Sequence, residues 1–181
     1  VQYHDKARME VNHPDAPNDG LWYVTNGLLV VELVTARMQT GDDTFEPRAA
    51  AEINVAGDPD VPQCPTYADF APLLQRPARP ADAVISERLS RGGQVAHDAA
   101  CARFGVRAFQ MSNGHRIAEP FWAFMNSSGS LVVDGEDVEG RLFANPFYAT
   151  GLPISEAYWL ETRVAGAPRL ILAQCFERRV L

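Results

Sequence analysis

The chain has 181 residues, a formal net charge of −7 and 46% hydrophobic residues, which is typical of a globular protein that buries its own core. The acidic balance disfavours sequence-independent binding to nucleic acid or to an anionic bilayer, because both require a basic face. No apolar run approaches the roughly 20 residues of a membrane-spanning helix. The 13 glycines and 13 prolines favour short elements joined by turns.

The N-terminal part of the chain, residues 1–75, predicts few regular elements. Residues 1–11 alternate as a strand does, and the turn formers that follow predict a loop. Leu28–Gln39 repeats apolar residues at helical spacing, although its β-branched residues also fit a strand. Thr66–Asp69 has the pattern of a capping box and predicts the start of a short helix.

A proline-rich connector, Arg76–Pro80, follows that helix. Such a segment is stiff and extended, so it is the best candidate for a boundary. It would separate the N-terminal part, 1–75, from a C-terminal module, 81–181. A single compact domain is the alternative arrangement.

The C-terminal module predicts helices and hairpins in alternation. Hairpins are expected over 84–95, 131–142 and 159–176, around turns rich in glycine. Helices are expected over 96–104, and from Ile117 to Met125 with an aromatic face. The spacing lacks the long βαβ units of a parallel doubly wound sheet. We therefore expect an α+β fold with short amphipathic helices packed on β-hairpins.

The cysteines and lysines exclude several kinds of site. Cys64, Cys101 and Cys175 lie far apart, without the spacing of a zinc site, so they form at most one disulfide or are buried free thiols. The one lysine, Lys6, is in no glycine-rich loop, so a P-loop or a Schiff base finds no support. We expect no cofactor.

Three glutamates are the candidates for acid/base catalysis on a glycan: Glu32, Glu156 and Glu177. Retaining and inverting glycosidases need a carboxylate pair, which these residues could supply. The competing interpretation is structural. In that case Glu156 and Glu177 fix a turn and a strand end through backbone hydrogen bonds or arginine partners.

Several aromatic residues could form a platform for sugar rings, because an aromatic face offers a rigid apolar contact with polar edges nearby. The ligand-binding candidates are Trp22, Trp122, Tyr148 and Trp159. The competing interpretation is that most of them build the core. Any ring that stays exposed, above all Trp22 or Trp122, is then the binding candidate.

Loop carboxylates give a weak calcium signal. Asp15, Asp19, Asp42 and Asp43 offer the hard oxygen ligands that calcium prefers, but none has EF-hand spacing. The sequence therefore makes no metal assignment.

Four motifs of the C-terminal module occur in a recognisable order. They are a Gly114–Ile117 turn, the aromatic helix Phe121–Phe124, a Gly151–Glu156 turn and the strand Gln174–Arg178. This order resembles a repeat module of uncharacterised secreted bacterial proteins, and it is similar in layout to the LGFP repeats of cell-wall-associated proteins. The first 40 residues resemble the tail of a preceding copy.

The sequence also contains an internal echo of these motifs. Gln2-x-x-Asp5-Lys6 matches Gln174-x-x-Glu177-Arg178, and residues 22–32 align with residues 147–156 with one gap. The two offsets differ, so no single repeat period fits.

The resemblance implies a non-catalytic extracytoplasmic module that serves cell-surface attachment, glycan binding or assembly into a larger array or filament. It implies a location outside the cell or on its surface, with a cell-envelope glycan or copies of the chain itself as the partner. Because no nucleophile elbow or other catalytic motif occurs, we lean away from an enzyme. The alternative is a carbohydrate-active hydrolase that uses a carboxylate pair.

Overall fold

A computed structural model describes residues 1–4, 7–12, 14–15, 17, 20–41 and 43–181. Its N-terminal part begins with a three-stranded antiparallel sheet made of β1 (Gln2–His4), β2 (Ala7–Val11) and β3 (Val24–Asn26), in that spatial order. The strand predicted over residues 1–11 is thus two paired strands, in which Gln2 faces Met9. β1 lies at the edge of this sheet.

The helix predicted over Leu28–Gln39 is half correct. Helix α1 spans Leu29–Thr35 and ends at Ala36, which adopts the left-handed conformation with φ 56°. The chain then continues as strand β4 (Arg37–Gln39), which pairs with β5 (Phe45–Pro47). The β-branched residues therefore remain helical, and tertiary strand pairing decides where the helix ends.

The capping box predicted at Thr66 is confirmed. Helix α2 (Tyr67–Phe70) follows it and continues as a 3-10 turn over Ala71–Leu73. A carboxylate oxygen of Asp69 accepts the backbone N–H of Thr66 at 2.7 Å, which is the bond expected from the motif.

The first predicted hairpin is also confirmed, as β6 (Glu87–Leu89) paired with β7 (Val95–His97). The helix that follows is shorter than predicted. Helix α3 spans only Ala99–Ala102, and Gly105 follows with φ +65°.

The next hairpin corrects a prediction. Strand β8 (Ala108–Ser112) turns back through Asn113 and Gly114, both at positive φ, into β9 (His115–Ala118). Ile117 therefore lies in a strand, and helix α4 begins only at Glu119 and ends at Met125. The two-residue turn fixes this outcome, because it directs the following residues back along β8.

The last two hairpins are confirmed. Strand β10 (Ser128–Val133) pairs with β11 (Glu136–Arg141), and β12 (Tyr158–Val164) pairs with β13 (Ala167–Ala173). β12 also pairs in parallel with β6, so the largest sheet has the order β13-β12-β6-β7. The architecture is α+β.

The main apolar core crosses the proline-rich connector. Val30 and Val34 of α1 and Phe70 of α2 belong to the same buried cluster as Leu89 and Leu160. Residues from both sides of the connector therefore share one core.

All three cysteines are buried free thiols. This arrangement agrees with the packing interpretation and leaves no disulfide among them. Within the described ranges, no helix is long and apolar enough to cross a membrane.

Candidate binding cleft

An open cleft of about 1270 Å³ lies between the N-terminal sheet, β4 and the residues that follow β13. Its lining is polar and carries both signs of charge. Its polar and charged lining side chains include Tyr3, Arg8, Glu10, Asn12, Glu177 and Arg178.

Arg8 forms the charged floor of the cleft. Its side chain is fully buried, and Nη1 lies 2.6 Å from Oε1 of Glu32. Nη2 donates to Glu10 and to Gln39, at 2.8 Å each. A Cβ atom at Gly27 would lie 2.6 Å from Cγ of Arg8, so only glycine leaves room for this side chain.

Glu32, the first of the glutamates considered for catalysis, is enclosed by hydrogen-bond donors. It accepts from Arg8, from the backbone N–H of Gln39 at 2.6 Å and from the hydroxyl of Tyr3 at 3.1 Å. A carboxylate held in this way stabilises the local fold and does not line the cleft.

Glu156, the second, is completely buried. Oε1 accepts the backbone N–H of Arg116 at 2.9 Å, and Oε2 lies 3.3 Å from a guanidinium nitrogen of Arg79. Burial by itself raises the pKa of Glu156, but the imidazole of His115, 3.4 Å away, the hydrogen bond from the Arg116 N–H and the charge of Arg79 lower it below its usual value. This carboxyl group is therefore ionised inside the protein.

Glu177, the third, lines the cleft but serves a turn. Its Oε2 accepts the backbone N–H of Leu152 at 2.8 Å. Gly151 adopts φ +69°, and a Cβ atom there would lie 2.7 Å from that same oxygen. The structure thus brings Glu177 alone of the three glutamates to the cleft wall.

The aromatic candidates separate into a neighbouring pair, of which Trp22 is exposed and Tyr148 half-buried, and two packed rings. Trp22 is 44% exposed, and its ring centre lies 5.7 Å from that of Tyr148. The guanidinium of Arg178 lies 5.9 Å from the Trp22 ring centre, within reach of a cation–π contact. We call Trp22, Tyr148 and Arg178 the Trp22 patch.

The backbone holds the Trp22 patch in place. Arg178 donates to the carbonyl oxygen of Tyr148 at 2.9 Å, and the hydroxyl of Tyr148 donates to that of Val24 at 2.9 Å. Asn12 donates to the carbonyl oxygen of Trp22 at 2.7 Å. Arg178 also lines the cleft, so the patch adjoins the cleft at this residue.

Trp159 and Trp122 do not belong to the Trp22 patch. Trp159 is only 6% exposed, and its indole N–H donates to the carbonyl oxygen of Ile85 at 2.7 Å. Trp122 is half-buried against Phe147, with ring centres 5.9 Å apart. Trp159 therefore serves the core, as the competing interpretation expected, and Trp122 is partly committed to packing.

The calcium candidates are only partly described. Asp19 and Asp42 lie outside the described residues, whereas Asp15 lines the cleft and Asp43 is exposed. Across the ranges that the structure describes, no group of three or more His, Cys, Asp or Glu side chains could hold a metal ion.

Two short strand pairs repeat the same register at the two ends of the chain. In the first pair, Gln2–His4 with Ala7–Met9, Gln2 faces Met9 and Tyr3 faces Arg8. In the second pair, Gln174–Phe176 with Arg179–Leu181, Gln174 exchanges backbone hydrogen bonds with Leu181, and Cys175 bridges to Val180. The sequence echo at Gln2 and Gln174 thus corresponds to equivalent local structure.

Helix α1 lies between these two strand pairs. Its Glu32 binds Tyr3 and Arg8 of the first pair. On another face, Val30 and Val34 belong to the core cluster that also contains Cys175. Val180 packs against this cluster. The two equivalent positions are therefore linked to α1 in different ways, by polar contacts in the first pair and by a shared apolar cluster in the second.

Sequence reasoning missed Arg8 and Arg79, which neutralise the buried glutamates. A lone arginine in a strand pattern gives no signal of its partner, because the partner is distant in sequence. The usable signal for Arg8 was Gly27, a glycine directly after a strand, which often marks the close approach of another group.

Comparison with protein-family models, with curated proteins and with solved structures found no match for this chain. The resemblance to secreted bacterial repeat modules therefore stays a prediction from motifs.

Proposed function

We propose that this chain is a non-catalytic extracytoplasmic module that binds cell-envelope glycan at the Trp22 patch and the adjoining cleft. The observation that carries the proposal is the exposed indole of Trp22, held against Tyr148 beside the guanidinium of Arg178. An indole face provides the flat apolar surface on which a sugar ring stacks. Hydrogen bonds to backbone carbonyl oxygens hold the Trp22 patch in this arrangement without a ligand.

The polar lining of the cleft fits the edges of a sugar. Glu10 supplies acceptors, Asn12 and Arg178 supply donors, and the phenol of Tyr3 can do both. Lining groups of both charge signs favour a neutral, hydroxyl-rich ligand over a strongly charged one. A glycan of the cell envelope, the partner implied by the motif resemblance, has this chemistry.

The placement of the glutamates favours binding over hydrolysis. A glycosidase needs two carboxyl groups roughly 5 to 10 Å apart across an open cleft. Glu32 and Glu156 are held by arginines and backbone donors, and Glu177 is tied to the N–H of Leu152. No two of these three carboxylates therefore form a free pair that faces a substrate.

We also propose that the helices act as covers for the strand pairs, in a module that can be repeated. Helix α4 packs on the β8–β9 hairpin, and α1 shares a buried core cluster with Cys175 of the second strand pair. This arrangement supports the repeat-module resemblance and the possibility of assembly into an array. The LGFP-like identity stays part of the same proposal.

A glycan array probed with the intact chain tests the binding proposal. Trp22→Ala should weaken binding to the glycans recognised by the wild-type chain by about tenfold or more, the scale of a binding hot spot. Phe109→Ala is the matched control, because Phe109 is 47% exposed and lies outside the patch. Absence of any glycan signal, or equal binding by the Trp22→Ala chain, would overturn the proposal.

A further inference from the structure

The two equivalent strand pairs differ in what covers them. Gln174, Cys175 and Phe176 of the second pair are completely buried. All three residues of β1, their equivalents in the first pair, are exposed, and Tyr3 is exposed by 50%. The same local structure is therefore a core element in one place and an open surface in the other.

An extended segment covers the edge of the second pair. Ile154 donates its N–H to the carbonyl oxygen of Cys175 at 3.0 Å, and Glu177 donates to that of Leu152 at 2.9 Å. The N–H of Cys175 in turn donates to the hydroxyl of Ser155 at 3.1 Å. Residues 152–155 thus extend this strand pair by one further strand.

Side chains complete the cover of the second pair. The amide of Gln174 accepts the N–H of Ala118 and donates to the carbonyl oxygens of Arg116 and Ser155. Phe176 packs in a buried cluster with Ile117. The amide of Gln174 and the ring of Phe176 therefore hold the second strand pair against the rest of the C-terminal module.

The register determines which backbone groups are open in the first pair. Gln174 exchanges both of its backbone hydrogen bonds with Leu181, so the N–H and C=O of Cys175 point to the opposite edge, where residues 154–155 bind them. Tyr3 occupies the position of Cys175 in the same register, and β1 is an edge strand. The carbonyl oxygen of Arg8, which faces Tyr3, accepts from the N–H of Gly27 on the β3 side, so Tyr3 and Arg8 are a non-hydrogen-bonded pair and the backbone groups of Tyr3 face the open edge of the sheet.

We propose that this open edge of β1 is a docking site for an extended Gly-Leu-Pro-Ile-Ser segment of a further module of the same kind. The segment would pair with Tyr3 as residues 152–155 pair with Cys175, and Gln2 would bind its backbone as Gln174 does. Strand addition to an exposed edge is an established mode of peptide recognition. The interface continues one that the chain already forms within itself.

A second intact copy of the chain is a poorer occupant. Its own Leu152–Ser155 segment is already paired with Cys175, and would have to be released before it could bind elsewhere. The docking proposal is tested separately from glycan binding, because it concerns the backbone edge of β1, whereas glycan binding depends on the Trp22 indole and on side chains of the cleft, the Tyr3 phenol among them. Failure of one leaves the other intact.

The test uses a synthetic peptide with the sequence of residues 149–157, added to the isotope-labelled intact chain. We expect saturable NMR shifts of the backbone amides of Gln2, Tyr3 and His4, with a dissociation constant on the order of 0.1 to 1 mM for so short a strand. A scrambled peptide of the same composition is the control. No shift in β1 at saturating peptide concentrations overturns the proposal.

Two substitutions of one residue separate backbone docking from side-chain effects. Tyr3→Pro removes the outward N–H and should abolish the shifts, whereas Tyr3→Phe keeps it and should bind like the wild type. If Tyr3→Pro impairs folding, Gln2→Ala replaces it and should weaken binding several-fold. Unchanged binding by the variant used, or concentration-dependent broadening of β1 amides without peptide, which would identify a second copy as the occupant, contradicts the proposal.

Discussion

Arg8 and Glu32 form a buried ion pair, with Nη1 and Oε1 2.6 Å apart, that joins the first strand pair to helix α1. The guanidinium also donates to Glu10 and Gln39, so the ion pair is part of a larger polar network. This pair connects the N-terminal sheet to the core that α1 helps to build.

Removal of one partner of this pair should be costly. Glu32→Leu leaves the Arg8 charge buried without its main partner, and we expect it to reduce the free energy of unfolding by about 3 kcal/mol. The double variant Arg8→Met with Glu32→Leu should lose clearly less than the two single variants added together. Urea denaturation of all four chains measures this coupling, and strictly additive losses would contradict it.

Gly27 should tolerate no side chain. A Cβ atom there would lie 2.6 to 2.7 Å from three atoms of the Arg8 side chain, so Gly27→Ala should displace Arg8 and destabilise the protein by roughly 1 to 3 kcal/mol. Gly20→Ala is the control, because nothing lies within 4 Å of its Cβ position. Thermal unfolding should separate the two variants, and equal melting temperatures would show that Arg8 is not confined as described.

Glu156 should contribute stability that depends on pH. Its pKa is lower in the folded chain than its ordinary value of 4.5, so its contribution is fully present above about pH 4.5 and is lost as the pH falls through the lowered value. Glu156→Gln should therefore reduce the free energy of unfolding at pH 7, with a deficit that narrows below pH 4.5.

Denaturant titrations at several pH values measure that narrowing. Glu161→Gln is the control, because the Glu161 side chain is 58% exposed and its ion pair with Arg88 is at the surface. A deficit for Glu156→Gln that stays constant with pH would mean that this carboxyl group is not ionised inside the protein.

The thiols should be inert in the native chain. All three are buried, and burial raises the pKa of Cys175, which keeps it in the unreactive thiol form. Iodoacetamide should leave Cys64, Cys101 and Cys175 unmodified in the native state and should modify all three in denaturant without a reductant. Mass spectrometry counts the modified thiols, and a loss of two modifications in denaturant would reveal a disulfide.

Local turn chemistry was the part of the fold that the sequence could predict. Asp134–Gly135 and Ala165–Gly166 adopt positive φ in hairpins, and Thr66 with Asp69 forms its capping box. These features depend on neighbouring residues. Ile117 was wrongly assigned to helix α4 because the apolar spacing of that helix extends backwards into strand β9, where Ile117 lies. Hydrophobic periodicity does not detect where strand pairing ends and the helix begins.

The candidate site was less accessible from the sequence, because its contacts join distant segments. The exposure of Trp22 and the burial of Trp159 depend on Tyr148 and Ile85, which no local pattern relates to them. The same holds for Glu156, whose partners come from the connector and from β9. The motif echo at Gln2 was visible in the sequence, but the equal registers depend on strand pairing, which no local pattern specifies.

Helix α1 has only seven residues, yet its Glu32 binds the first strand pair, and its Val30 and Val34 share a core cluster with Cys175 of the second. Tension applied to β1, as in a filament of linked modules, would reach α1 through the Arg8 guanidinium and the Tyr3 hydroxyl. Because the Arg8–Glu32 pair is buried, salt would screen it only weakly, so the force at which such a filament yields would change little with salt concentration.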